Sequence, residues 1–156
     1  MSGRALVAGI GNVFFGDDGF GVEVAARLSD APLPAGVRVL DAGIRARDLA
    51  YELCDGGYDT AILVDAVARG GAPGTVYVIE PPPSSGASPA GVAAFDGHSV
   101  TPEAALAFVG ALGGTSTRIL IVGCEPARVS EGVGLSPPVT AAVDEALAVV
   151  RELLCA

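Results

Sequence analysis

The sequence predicts an α/β fold: one three-layer domain with a twisted, mostly parallel sheet of about five strands and helices on both faces, broadly phosphorylase- or hydrolase-like. Three observations predict it. Short apolar runs that read as buried strands alternate with segments of helical period. Turn and cap formers punctuate the boundaries between them. Half the chain is hydrophobic but only 5% is aromatic, a composition that suits Ala- and Val-rich helices laid closely on a sheet. A length of 156 residues fits a single domain spanning 1–156.

Taken in order, RALVA (4–8) reads as a buried first strand, ended by Gly9 and Gly11. Phe20, Val24 and Leu28 then recur at i, i+4 and i+8 and line one face of a helix, with Asp17 or Asp18 placed to cap it. VRVLDAG (37–43) is a second strand, and the segment from Arg45 to Cys54 is a helix closed by Gly56 and Gly57. TAILVDA (60–66) is the clearest buried strand and ends on an aspartate. RGGAPGT (69–75) is a turn leading to VYVIE (76–80), a short strand placed at the sheet edge and possible in antiparallel pairing. EPPPSSGASPAGVAAFDG is a long Pro/Gly/Ser loop, a kind of segment that is often functional in a compact domain. Thr101 caps a helix with Pro102 at its first position, running to about Leu112. RILIVG (118–123) is the last strand, and Ser136 caps a final helix whose stripe is Val139, Val143, Ala146, Leu147, Val150 and Leu154.

Eighteen acidic against nine basic residues leave a formal charge of −9, which argues against nucleic acid and anionic membranes as partners. The three cysteines, Cys54, Cys124 and Cys155, form no C-x-x-C pair, so neither a disulfide framework nor a structural zinc site is expected. The opening MSGRALVAGIGN breaks into glycine too early for a signal peptide or a membrane span. These features together place the protein in the cytoplasm as an expectation.

The first loop raises the chemical question. Gly9-Ile10-Gly11 begins like a dinucleotide-binding turn, but Phe14 stands where the third glycine of G-x-G-x-x-G belongs. Asp17 and Asp18 then occupy the helix start, where they repel phosphate. One aspartate suffices as a cap, which leaves a carboxylate spare. Asp65 stands at the carboxyl end of a buried strand, and such ends border the ligand crevice of an open α/β sheet. His98, the only histidine, precedes a helix start in AFDGHSVTPEAAL. Asp18, Asp65 and His98 therefore fall where this fold gathers residues to one rim. Two carboxylates and an imidazole form an open ligand set for a divalent metal such as nickel or zinc. Nucleophilic catalysis finds no matching motif: there is no G-x-S-x-G elbow, and no cysteine lies beside His98 in sequence.

GIGNVFFGDDGFGVEVA, LDAG, ILVDAV with GAPGTV, the histidine before a helix, and VGCEPARVSEGVGLSP together resemble the hydrogenase maturation endopeptidases, from about Leu6 to Leu147. The resemblance implies a protease that removes the C-terminal extension of the [NiFe] hydrogenase large-subunit precursor once nickel is in place. It implies that the nickel is carried by the precursor, with no organic cofactor, and that Asp18, Asp65 and His98 meet it. The first of these positions is Glu in some members and Asp in others. Asp17 matches the motif's other acidic position, as helix cap or as part of the site. Two other readings stay open at this point: a nucleotide- or dinucleotide-binding module, and a non-catalytic partner that senses nickel on the precursor.

Overall fold

A computed structural model describes residues 3–81 and 101–155. Strand β1 (Ala5–Ile10) leads through a 3-10 turn (Gly16–Gly19) into α1 (Phe20–Ser29). Then follow β2 (Val37–Gly43), α2 (Ala46–Asp55), β3 (Thr60–Ala66) and β4 (Val76–Ile79). Helix α3 (Pro102–Ala111), β5 (Arg118–Cys124) and α4 (Pro137–Cys155) complete the elements among the described residues. The five strands form one sheet in the order β2-β1-β3-β5-β4. All pairings are parallel except that of β4, which runs antiparallel to β5 at the edge.

The two faces of the sheet are sorted by the period-2 alternation of its central strands. Ala5 and Val7 of β1, Ile62 and Val64 of β3, and Leu120 and Val122 of β5 pack against α1 and α4. Leu6, Ala8, Leu63 and Ile121 point the other way, toward α2 and α3. Strands buried on both faces read as continuous apolar runs, which is why β1 and β3 stood out in the sequence. Helix α3 begins as expected: the Ala104 N–H donates to Thr101 Oγ1 at 3.1 Å, with Pro102 at the first position.

The expected cap of α1 is not formed. Neither Asp17 nor Asp18 makes a side-chain bond to the first turn of that helix. Both aspartates lie within the 3-10 turn, so the helix proper opens only at Phe20 and neither carboxylate caps its free N–H groups. Gly21 explains the close seating of α1 on the sheet. A Cβ there would collide with the carbonyls of Val64 and Ile10, so only glycine lets the helix approach the β1–β3 pair this closely.

Candidate functional site

The sheet order creates a topological switch point between β1 and β3, since the chain leaves β1 toward β2 and later returns to its other side. Ligands of open α/β sheets bind beyond the carboxyl ends of the strands at such a point. Asp18 follows β1, and Asp65 is the penultimate residue of β3. Gly11 holds the two together. It has φ +135°, a Cβ on it would overlap the Asp18 carbonyl, and the same Cβ would stand 3.3 Å from Asp65 Oδ1. Only a glycine allows the loop after β1 to fold back this tightly.

Asp65 is 1% exposed, and the Ala66 N–H, at 2.7 Å, is the one hydrogen-bond donor its carboxylate finds among the described residues. Burial pushes its pKa well above the usual carboxylate range, and the Asp18 charge pushes it further, with a smaller contribution from Glu103. Asp18 is half-buried and accepts one bond, from the Asn12 N–H at 2.8 Å. Burial raises its pKa too, and that hydrogen bond opposes the rise. Two carboxylates that act on each other through their charges, with so few donors, are short of positive charge. A divalent cation, or a proton, relieves that deficit.

The Asn12 N–H is also a group that a phosphate-binding turn would aim at its ligand. Here Asp18 takes it, and the Asn12 side chain folds back to accept from the Phe14 N–H at 2.9 Å. The glycines of the first loop therefore serve close packing and an acidic turn.

Asp17, one residue away, has the opposite surroundings. It is fully buried, and its carboxylate accepts four bonds from the segment before α4. The N–H groups of Ala127 and Arg128 and the Ser136 hydroxyl donate to Oδ2 at 2.8, 2.9 and 2.8 Å, and the Ser136 N–H donates to Oδ1 at 2.7 Å. Burial works against the charge, but these donors outweigh it and hold the pKa below its usual value. Backbone bonds complete the seam: Gly16 N–H to Gly132 carbonyl, Gly132 N–H to Phe14 carbonyl, and Asp17 N–H to Arg128 carbonyl, at 2.8, 2.8 and 2.9 Å. Asp17 is thus neither a helix cap nor, by its bonds, a partner of Asp18 and Asp65. It fastens the first loop to the loop between β5 and α4. Ser136 sits at the α4 start as expected, its carbonyl accepting from the Thr140 N–H at 2.8 Å.

Glu125 was not singled out in the sequence. It is buried after β5 and its Oε1 accepts from the Arg69 N–H, the Gly71 N–H and the Tyr77 hydroxyl at 2.8, 3.0 and 2.8 Å. The Arg69 amide bond leads the donors that keep it ionised, so Glu125 holds the turn that reverses the chain into β4. The signal that could have found it is the polar residue directly after a buried strand, the same signal that marks Asp65. His98, and the Pro/Gly-rich loop 81–97 beyond residue 81, lie outside the described residues. Among the described residues no group of three or more His, Cys, Asp or Glu side chains is placed to hold a metal ion. The three cysteines are free: Cys124 is buried, with its thiol pushed up to about 11 by burial, Cys54 is half-buried within α2, and Cys155 is exposed at the end of α4. No helix among the described residues is long and apolar enough to cross a membrane.

A family model of hydrogenase maturation proteases, HycI, matches residues 22–152. The hydrogenase expression/formation protein HupD of Rhodobacter capsulatus is 34% identical, over 96% of this chain and 71% of its own length. A putative hydrogenase maturation protease of Methanocaldococcus jannaschii is 33% identical, over 93% and 92% of the two chains. Among solved structures, the hydrogenase maturating endopeptidase HybD from E. coli aligns with a TM-score of 0.76 at 27% identity, covering 97% of this chain and 91% of that one. Fold and site define a class, the three-layer α/β proteins with an acidic centre at the switch point of the sheet. Within that class, the chain belongs to the hydrogenase maturation protease family.

Proposed function

We propose that this protein is the endopeptidase that removes the C-terminal extension of a [NiFe] hydrogenase large-subunit precursor after nickel insertion. Asp18 and Asp65 meet the nickel that the precursor carries, and His98 supplies the third ligand. The observation that supports this reading best is the cation deficit of the Asp18–Asp65 pair: two carboxylates, one of them buried, with a single backbone N–H donated to each. Such a pair binds a divalent ion more strongly than it binds water, and oxygen with imidazole nitrogen suits nickel. The metal in this reading is part of the substrate, so the protease discriminates a loaded precursor from an empty one through ligands that only the loaded form can satisfy. The protein works as a cytoplasmic enzyme without an organic cofactor, and its acidic surface leaves nucleic acid and anionic membranes outside its partners.

The test incubates the purified protein with nickel-loaded and nickel-free precursor and follows precursor mass. Loss of a short C-terminal peptide is expected only from the loaded form. Asp18→Ala, Asp65→Ala and His98→Ala are each expected to slow or stop that loss. Equal cleavage of the nickel-free precursor would remove the checkpoint from the reading. Binding of loaded precursor with its mass unchanged would make the protein a sensor instead of a protease.

A further inference from the structure

The loop that carries Asp18 also presents a neutral donor that metal recognition does not use. Asn12 is half-buried between Gly11 and the 3-10 turn, and two bonds fix it in place. Its backbone N–H donates to Asp18 Oδ2 at 2.8 Å, and its side-chain Oδ1 accepts from the Phe14 N–H at 2.9 Å. The second bond settles which way the carboxamide lies, because only its oxygen accepts from an N–H. The Nδ2 group, with two N–H donors, occupies the other arm of the amide. Among the described residues Nδ2 meets no acceptor, and no buried side-chain polar atom there lacks a partner, so Nδ2 is open to whatever enters the site.

The backbone does not explain why asparagine stands here. Asparagine is favoured in turns where φ is positive, yet among the described residues every positive φ belongs to a glycine. The bond from the Phe14 N–H closes an Asx turn, which an aspartate makes as well and a serine more weakly. The carboxamide NH2 is what neither of those residues supplies.

Around the acid pair the other donors are spent. The Gly11 N–H goes to the Gly43 carbonyl, the Ala66 N–H to Asp65 Oδ1 and the Val67 N–H to the Cys124 carbonyl, at 3.0, 2.7 and 2.9 Å. Asn12 gives its own backbone N–H to Asp18. The Asn12 amide is the uncommitted donor among these flanking residues, and covalent reach keeps Nδ2 within about 8 Å of the Asp18 carboxylate. Cutting a peptide bond builds negative charge on the carbonyl oxygen. Two carboxylates repel that charge, so the site needs a donor of another kind to receive it.

We propose that Asn12 is a catalytic residue whose Nδ2 donates to the scissile carbonyl oxygen as it becomes an oxyanion. The assignment rests on the processing reading above and supplies a part that the metal ligands do not. Water adds to the carbonyl carbon, forming a C–O bond as the carbonyl π pair moves onto the oxygen. The intermediate collapses when the carbonyl re-forms and the C–N bond breaks. The proton lost by the water passes to the leaving nitrogen, which departs as the free amine of the extension. Asn12 neither gains nor loses a proton. Its bonds to the charged oxygen are stronger than those to the neutral carbonyl, so its loss falls on kcat and spares binding.

The test cleaves nickel-loaded precursor with the wild type, Asn12→Ser and Asn12→Asp, measuring kcat and the Kd for loaded precursor separately. Asn12→Ser keeps a neutral acceptor for the Phe14 N–H and removes the amide. It is expected to lower kcat about a hundredfold, the weight of one oxyanion donor, with Kd within about twofold of the wild type. Asn12→Asp keeps the Asx turn and sets a charge against the oxyanion, so its kcat is expected to fall further. Wild-type kcat in either variant overturns the assignment and leaves the processing reading standing. If Asn12→Ser loses affinity for loaded precursor in step with kcat, Asn12 only supports Asp18, and the assignment is overturned as well. A wild type that binds loaded precursor without cutting it removes the processing reading, and the oxyanion with it.

Discussion

Asp17 and Asp18 are neighbours on one 3-10 turn, and the contrast between them organises the site. Asp17 turns toward the loop before α4 and receives four donors. Asp18 lies close enough for its charge to act on Asp65 and receives one. The first carboxylate is held ionised by its hydrogen bonds, whereas the second, with its buried partner, is held toward protonation. The difference separates two uses of the same residue type. A carboxylate saturated with backbone donors is a fastener, and its charge is consumed inside the fold. A carboxylate pair left short of donors keeps its binding capacity for something that arrives from outside.

The largest expected effect breaks the starved side alone. Asp65→Asn keeps the shape of the side chain and removes the buried charge. If Asp65 meets the nickel as proposed, cleavage of nickel-loaded precursor is expected to fall by at least about a hundredfold, since losing a metal ligand costs no less than losing its supporting partner. Thermal unfolding of the same variant is expected to show no loss of stability, because the charge removed was uncompensated. A marked drop in Tm would make Asp65 a fastener like Asp17 and erase the contrast.

Breaking the other side gives the reverse pattern. Asp17→Ala takes from three N–H groups and a hydroxyl the buried acceptor they share and is expected to cost about 3 kcal/mol. For a domain of this size that corresponds to a fall in Tm of roughly 10 °C. A variant that unfolds no earlier than the wild type would show that the first loop does not depend on its seam with residues 127–136.

The smallest effect concerns the pH dependence of stability, and the two acids carry opposite signs. Asp65 has a raised folded pKa, so the native state holds more protons than the unfolded chain between the ordinary carboxylate value and that raised value. Stability contributed by this group therefore falls as pH rises through that window. Asp17 has a lowered folded pKa, so its contribution is present above the ordinary value and is lost as pH falls toward the folded one. Denaturant melts across pH are expected to lose the first slope in D65N and to keep it in Asp17→Asn, where the acid-side loss is the part that diminishes. Superimposable profiles for the two variants would contradict the assignment.

The elements themselves were readable because each is announced locally. The apolar runs of β1 and β3, the Thr101-Pro102 start of α3 and the stripe of α4 all follow from neighbours within a few residues, and the structure places them as expected. Even the reversed direction of β4 was hinted at by a connection too short for a crossover helix. The acid pair was half readable: the ends of β1 and β3 identify Asp18 and Asp65 as rim residues, but nothing in their spacing states that Gly11 brings them together.

What the sequence determined by itself is therefore the α/β alternation, the two buried faces and the rim on which polar residues collect, because backbone period and burial are local properties. The family too was carried by its combined motifs. Only the tertiary structure decided which aspartate does what. Either one could have capped α1, and both were moved off it by the 3-10 turn. The donors that claim Asp17 sit more than a hundred residues along the chain, at Ala127, Arg128 and Ser136. A carboxylate's role depends on how many donors reach it and how much water is excluded, and both are set by distant segments meeting in space.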